Sequence, residues 1–136
     1  MPTSRTALIA GATGLTGHYL LTLLLADANY ARVTALVRKA SLPSNPKLAE
    51  VIVDFDVLPP LPKAADAYCC LGTTIKKAGS QAAFRKVDFE FVVNFARAAK
   101  RAGAKRFLVI SSLGANASSP IFYSRVKGEM ESMRER

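Results

Sequence analysis

With 136 residues, half of them hydrophobic and 21% charged, the sequence has the size and balance of one folded domain with its own core, and it is neither a disordered nor a collagen-like chain. The longest apolar stretch, Tyr19 to Ala28, is interrupted by Thr22 and Asp27 and falls short of the roughly 20 residues that a membrane-spanning helix needs. A formal net charge of +9 asks for a negatively charged partner, either nucleic acid or a phosphorylated cofactor.

The opening MPTSRTALIA runs directly into a strand and lacks the long apolar region and cleavage site of a secretory signal, so a cytoplasmic protein is expected. The first strand is placed at Thr6 to Ala10. It is followed by Gly11-Ala12-Thr13-Gly14-Leu15-Thr16-Gly17 and then by Leu15, Tyr19, Leu20, Leu23 and Leu24 at helical spacing, which predicts a helix to about Asp27. Three glycines at this spacing between a strand and a helix have distinct jobs. Gly11 permits the tight turn, Gly14 lets backbone approach a phosphate, and Gly17 lets the helix pack closely on the strand. The open N–H groups and positive end of the helix would hold the pyrophosphate of a dinucleotide.

Arg32 to Val37 reads as the second strand. Where an acidic residue would select NAD(H), the sequence has Arg38 and Lys39, a pair suited to a 2′-phosphate; NADP(H) is therefore expected, with NAD(H) the lesser candidate. Ser41 to Pro46 reads as a loop, Glu50 to Val53 as a short third strand, and Asp54-Phe55 as residues that either flank an adenine or cap a turn. Pro59, Pro60 and Pro62 make the next crossover irregular.

Ala67 to Leu71 is continuously apolar, as in a central strand covered on both faces. It carries the adjacent Cys69 and Cys70, which point to opposite faces of a strand and are expected to stay reduced; no metal-ligand spacing accompanies them. Phe84, Val87, Phe91, Val92 and Phe95 predict an amphipathic helix from Gln81 to Arg101, stopped near Gly103. The basic run Arg97 to Arg106 has no interleaved aromatics and reads as a solvated face, which makes nucleic acid an unlikely partner. Phe107 to Ile110 is the fifth strand and Tyr123 to Arg136 a further helix, with no linker dividing residues 1–136 into domains. The alternation predicts an α/β fold, a doubly wound parallel sheet of Rossmann type.

Tyr123 and Lys127 are four apart, on one face of the last helix. A lysine ammonium beside a phenol favours the phenolate and fits Tyr123 to exchange a proton with a carbonyl or hydroxyl, with Ser111 or Ser112 holding the substrate oxygen. The glycine string, the serine pair and Tyr-x-x-x-Lys, in that order, resemble the short-chain dehydrogenase/reductase superfamily. Tyr68-Cys69-Cys70-Leu71-Gly72-Thr73-Thr74, Lys77-Ala78-Gly79, Phe84-Arg85-Lys86-Val87-Asp88 and Tyr123 to Glu129 resemble its atypical branch, the Tat-interacting-protein oxidoreductase group.

That resemblance implies that Thr13, Gly14, Leu15 and Thr16 contact the pyrophosphate, Arg38 and Lys39 the 2′-phosphate, Leu71 and Gly72 the adenosine side, and Tyr123 and Lys127 the nicotinamide ribose. It also implies that Tyr123 is the proton donor in reduction, assisted by Ser112 or Ser111. Members of the group continue well beyond this helix, so the sequence reads as a Rossmann domain shortened after Tyr-x-x-x-Lys, with its fifth strand left as a sheet edge. Two functions follow: an NADP(H)-dependent oxidoreductase acting on a small carbonyl or hydroxyl compound, or a non-catalytic NADP(H)-binding regulatory or partner-binding module. Neither an oligomeric state nor a particular substrate is marked in the residues.

Overall fold

The computed structural model describes residues 5–71 and 79–109. Its elements are β1 (Thr6–Ala10), α1 (Leu15–Ala26), β2 (Arg32–Val37), β3 (Leu48–Ile52), β4 (Asp66–Cys69), α2 (Gln81–Arg85), a π-helical stretch (Lys86–Phe91), α3 (Val92–Arg101) and β5 (Arg106–Val109). The five strands form one sheet in the order β3-β2-β1-β4-β5, and every pairing is parallel. The carboxyl ends of all five strands therefore lie at one end of the sheet, where the crossovers begin. This is the doubly wound arrangement anticipated from the alternation of strand and helix.

Alternation along the strands divides the core into two layers. Ala7, Ile9, Val33, Ala35 and Val37 pack against Leu21 and Leu24 of α1, while Leu8, Ala10, Leu36, Ala67 and Cys69 pack against Val92, Phe95 and Ala99 of α3. Burying a side chain the size of Phe95 or Leu8 contributes about 1.5–3 kcal/mol, so each layer has several such contributions. No disulfide joins Cys69 to Cys70.

The inward face of α1 differs from the predicted one. Leu21 and Leu24 are buried with Leu20 and Leu25 beside them, whereas Tyr19 and Leu23 are 68% and 67% exposed. The reason is Gly17, which is pressed against the backbone of Gly11 and so turns the 17, 21, 24 stripe toward the sheet. A similar shift occurs between β4 and β5. The expected helix is continuous in backbone conformation from Gln81 to Arg101, but its π-helical turn brings Asp88 rather than Val87 fully inside. Ser80 starts it by accepting a 3.1 Å hydrogen bond from the Ala83 N–H. Gly103, at φ 92°, ends it: the Gly103 N–H donates to the Lys100 carbonyl and the Ala104 N–H to the Ala99 carbonyl.

β3, β4 and β5 each begin one or two residues earlier than predicted. Leu48 is held by pairing with Val33, and Asp66 by pairing with Ala7 on one side and Arg106 on the other. Residues 53–65 contain no helix, in keeping with the proline cluster. β5 pairs only with β4 among the described residues. The predicted helix from Tyr123 to Arg136 lies outside the described residues.

At the amino ends of the strands, Asp66 is 1% exposed and ties several segments together. Its carboxylate accepts hydrogen bonds from Arg5 Nη2 at 2.6 Å, Arg106 Nε at 2.8 Å and the Tyr30 hydroxyl at 2.5 Å; Tyr30 in turn shares a 2.7 Å hydrogen bond with the Tyr68 hydroxyl. A buried carboxylate is tolerated because charge and hydrogen bonds are both matched.

Candidate functional site

The carboxyl ends of β1, β2 and β4 come out at one level, since Ala10 pairs with Leu36 and with Cys69. Gly11, Arg38 and Leu71 thus stand within two residues of that level on three adjacent strands. Such a point, where neighbouring crossovers leave in opposite directions, is where open α/β sheets bind ligands.

The three turn glycines are glycines for different reasons. Gly11 has φ 83°, and a Cβ there would lie 2.5 Å from the carbonyl carbon and oxygen of Cys70. Gly17 is buried, and a Cβ there would lie 1.9 Å from the Gly11 carbonyl oxygen. Both positions are closed to any side chain by the protein's own backbone. Gly14 is exposed, has φ −77°, and a Cβ there would meet only the Gly11 oxygen at 3.6 Å, an ordinary contact. The fold needs glycine at 11 and 17; among the described residues nothing crowds the exposed Gly14.

Gly14 also begins α1. Its carbonyl accepts the His18 N–H at 2.8 Å, and among the described residues no side chain caps the helix start. The N–H groups of the first turn and the partial positive charge of the helix end therefore face an open surface, flanked by exposed Thr13 and Thr16. A diphosphate fits these donors, because each supplies a hydrogen bond to an anionic oxygen and a missing Cβ lets the oxygen come close. Leu15 opens the helix as its first residue.

Arg38 and Lys39 directly follow β2 and are both exposed, on the strand next to the turn. Leu71 is half-buried against the α3-side core. Asp54-Phe55 takes the turn role: Asp54 Oδ1 accepts the Asp56 N–H at 2.9 Å. Phe55 is 3% exposed, stacked on Phe91 at 5.7 Å between ring centroids, and its carbonyl accepts Asn94 Nδ2 at 2.9 Å. It is a core residue. Burial pushes the Cys70 thiol up, which keeps it protonated and unreactive at neutral pH. Among the described residues no group of three His, Cys, Asp or Glu side chains is placed to hold a metal ion. Gly72, Ser111, Ser112, Tyr123 and Lys127 lie outside the described residues.

Asp66 stands one residue before the predicted start of β4, so the strand pattern marks neither it nor its partners. An aspartate immediately before an apolar strand, with arginines before β1 and at the start of β5, is the signal that could have found them.

A family model for NAD(P)H-binding proteins matches residues 11–135. Protein HTATIP2 of Rattus norvegicus is 36% identical over 139 residues, covering 97% of this chain and 57% of that protein. Protein FMP52, mitochondrial, of Lodderomyces elongisporus is 34% identical, covering 94% of this chain and 59% of that protein. The chain thus spans less than two thirds of the length of these relatives. Among solved structures, the oxidoreductase ylbE from Lactococcus lactis superposes with a TM-score of 0.70 at 22% identity, over 96% of this chain and 61% of that one. The Bordetella bronchiseptica enzyme WbmG in complex with NAD gives 0.73 at 18% identity, over 98% and 50%. These likenesses support the fold. The cytoplasmic expectation is overturned, because the FMP52 relatives from Lodderomyces elongisporus and Candida albicans and fmp52-1 from Aspergillus terreus are named as mitochondrial proteins. Among the described residues no helix is long and apolar enough to cross a membrane.

Proposed function

Since the chain belongs to the NAD(P)H-binding family, we propose that it is the cofactor-binding domain of an NADP(H)-dependent oxidoreductase of the short-chain dehydrogenase/reductase type. The observation that carries the cofactor reading is Gly14: the residue has no side chain and nothing among the described residues requires that, while the helix behind it begins without a side-chain cap from Gly14. The preference for NADP(H) rests on Arg38 and Lys39, whose cations suit a 2′-phosphate where an acidic residue would repel it.

When bound, a reduced nicotinamide would supply a hydride to a carbonyl carbon, and an oxidised one would take a hydride from a hydroxyl-bearing carbon. The chain's own residues orient the dinucleotide through the backbone of Thr13 to Gly17 and hold its adenosine end between Arg38 and Leu71. For the substrate, a small carbonyl or hydroxyl compound, Tyr123 gives or takes the proton at the oxygen, Lys127 favours the phenolate by its charge, and Ser112 or Ser111 holds the oxygen by hydrogen bond. Residues 1–136 act here as a single domain.

Steady-state oxidation of NADPH with a panel of aldehydes, ketones and quinones tests the reaction. Turnover that is lost in Tyr123→Phe while NADPH still binds supports it. Retained NADPH binding with no turnover on any substrate, in the protein at its natural full length, would replace the enzyme by an NADP(H)-binding regulatory module.

A further inference from the structure

The charges of the described residues are not spread evenly. Because every strand is parallel, the five strand starts share the end of the sheet opposite the glycine turn, and each has a cation at it or within the three residues before it: Arg5, Arg32, Lys47, Lys63 and Arg106. α3 runs back to the same end and finishes there on Lys100 and Arg101, followed by Lys105. Among the described residues two carboxylates lie at this pole: Asp27, and the buried Asp66 already bound by Arg5 and Arg106. On the rest of the described residues five cations, Arg38, Lys39, Arg85, Lys86 and Arg97, are matched in number by five carboxylates. The net positive charge of the described residues is thus concentrated at one pole. A cationic last turn complements a helix dipole and accounts for Lys100 and Arg101, Asp66 accounts for Arg5 and Arg106, and Lys47 donates to the Asp27 carbonyl at 2.8 Å; Arg32, Lys63 and Lys105 answer to none of these.

Beside this pole is a cavity of about 210 Å³, between the proline crossover and the end of α3. Leu58, Leu61, Ala98 and Ala102 line it, and Arg101 is its one charged lining residue among the described residues. The backbone hydrogen bonds from Ala64 N–H to the Ala102 carbonyl and from Lys105 N–H to the Ala65 carbonyl set Lys63 and Lys105 next to this lining. The cavity is below the range of pockets that enclose whole small-molecule ligands and fits one anchoring side chain.

We propose that this pole docks an acidic protein segment, one bulky apolar side chain of which seats beside Arg101 while its carboxylates meet the cations around Lys63 and Lys105. Nucleic acid fits less well, because among the described residues the aromatic rings at this pole, Tyr30, Tyr68 and Phe107, are packed against the core layers. A lipid surface would use the cations but not a cavity of this size. Pole-to-pole contact with a second copy would bring like charges together. The proposed surface is remote from the glycine turn and does not depend on the cofactor reading.

Fluorescence anisotropy of the protein with a labelled peptide of Asp and Glu around a central Leu-Phe pair tests this. The expected result is saturable, salt-sensitive binding that weakens about tenfold when the pair is changed to Ser-Ser, and about tenfold in Lys63→Glu/Lys105→Glu. Both lysines are exposed, and an unchanged circular dichroism spectrum in that variant separates lost docking from lost fold. Equal affinity for the Ser-Ser peptide, no saturable binding, or tighter binding to single-stranded DNA or to phosphatidylserine vesicles would each overturn the proposal. So would a protein dimer that the peptide disperses.

Discussion

A β-carbon on Gly17 would stand 1.9 Å from the carbonyl oxygen of Gly11, while one on Gly14 would come no nearer to it than 3.6 Å. The two neighbouring glycines of one turn thus answer to different constraints, and substitution separates them. Gly17→Ala should destabilise the fold by about 1–3 kcal/mol or more, the cost of overpacking against backbone that cannot move aside. Gly14→Ala should cost less than about 1 kcal/mol of stability, as a change of cap residue, while weakening NADPH binding about tenfold or more. Urea unfolding and cofactor titration on both variants check this. Equal destabilisation by the two substitutions would make Gly14 a structural glycine.

The Asp66 clamp predicts where stability, as distinct from binding, resides. Asp66→Ala leaves two arginines and a tyrosine hydroxyl without their common acceptor and should cost about 3–5 kcal/mol. The site lies at the opposite end of the sheet from the glycine turn, so whatever protein remains folded should bind NADPH with unchanged affinity. Chemical denaturation followed by circular dichroism measures the first effect and titration the second.

Tyr30 gives that clamp a pH dependence. Burial, then its hydrogen bonds to Asp66 and Tyr68, push its phenol well above the usual tyrosine value. A phenol harder to ionise in the folded state contributes stability that is fully present below about pH 10 and is lost as pH rises beyond, since the unfolded chain releases the proton first. The stability of the protein should therefore decline above about pH 10, and Tyr30→Phe should flatten that decline. An identical alkaline profile in both proteins would remove Tyr30 as its cause.

Catalysis predicts a split between two side chains. Tyr123→Phe should lower turnover by about 10²-fold to 10⁴-fold, the usual contribution of a general acid, with NADPH affinity little changed. Lys127→Met should lower both, because the ammonium is assigned to the cofactor ribose as well as to the phenol. Steady-state kinetics and cofactor titration on the two variants distinguish these outcomes, and an active protein indifferent to Tyr123→Phe would exclude Tyr123 from proton transfer.

Most of the sheet was legible because its signals are local. Apolar runs placed β1 and β2 at their observed bounds, the glycine string placed the turn, and Gly103 placed the end of α3. What was misread depends on contacts distant in sequence. Tyr19 and Leu23 fit the helical spacing as well as Leu21 and Leu24 do; only the contact of Gly17 with Gly11 decides which stripe faces the sheet. Asp66 has no local mark of burial, since its partners Arg5, Tyr30 and Arg106 are 36 to 61 residues away. Phe55 belongs to the core for the same reason, through its stacking on Phe91. The turn's position was readable from spacing alone, but the distinction between Gly11 and Gly17, which the surrounding backbone requires, and the exposed Gly14 needed the backbone around them.

The central claim is that the turn from Gly11 to Gly17, with Arg38 and Lys39 beside it, binds NADP(H). Calorimetric titration of NADPH and NADH into the wild-type protein and Arg38→Asp tests it most directly. The predicted result is tighter binding of NADPH than of NADH by the wild type. Arg38→Asp should lose about 1.5–3 kcal/mol of NADPH affinity, the value of a hydrogen bond to a charged group, with NADH much less affected. Equal wild-type affinity for the two cofactors, or equal loss of both in Arg38→Asp, would contradict the assignment of the 2′-phosphate to these cations. Failure to bind either dinucleotide would contradict the site itself.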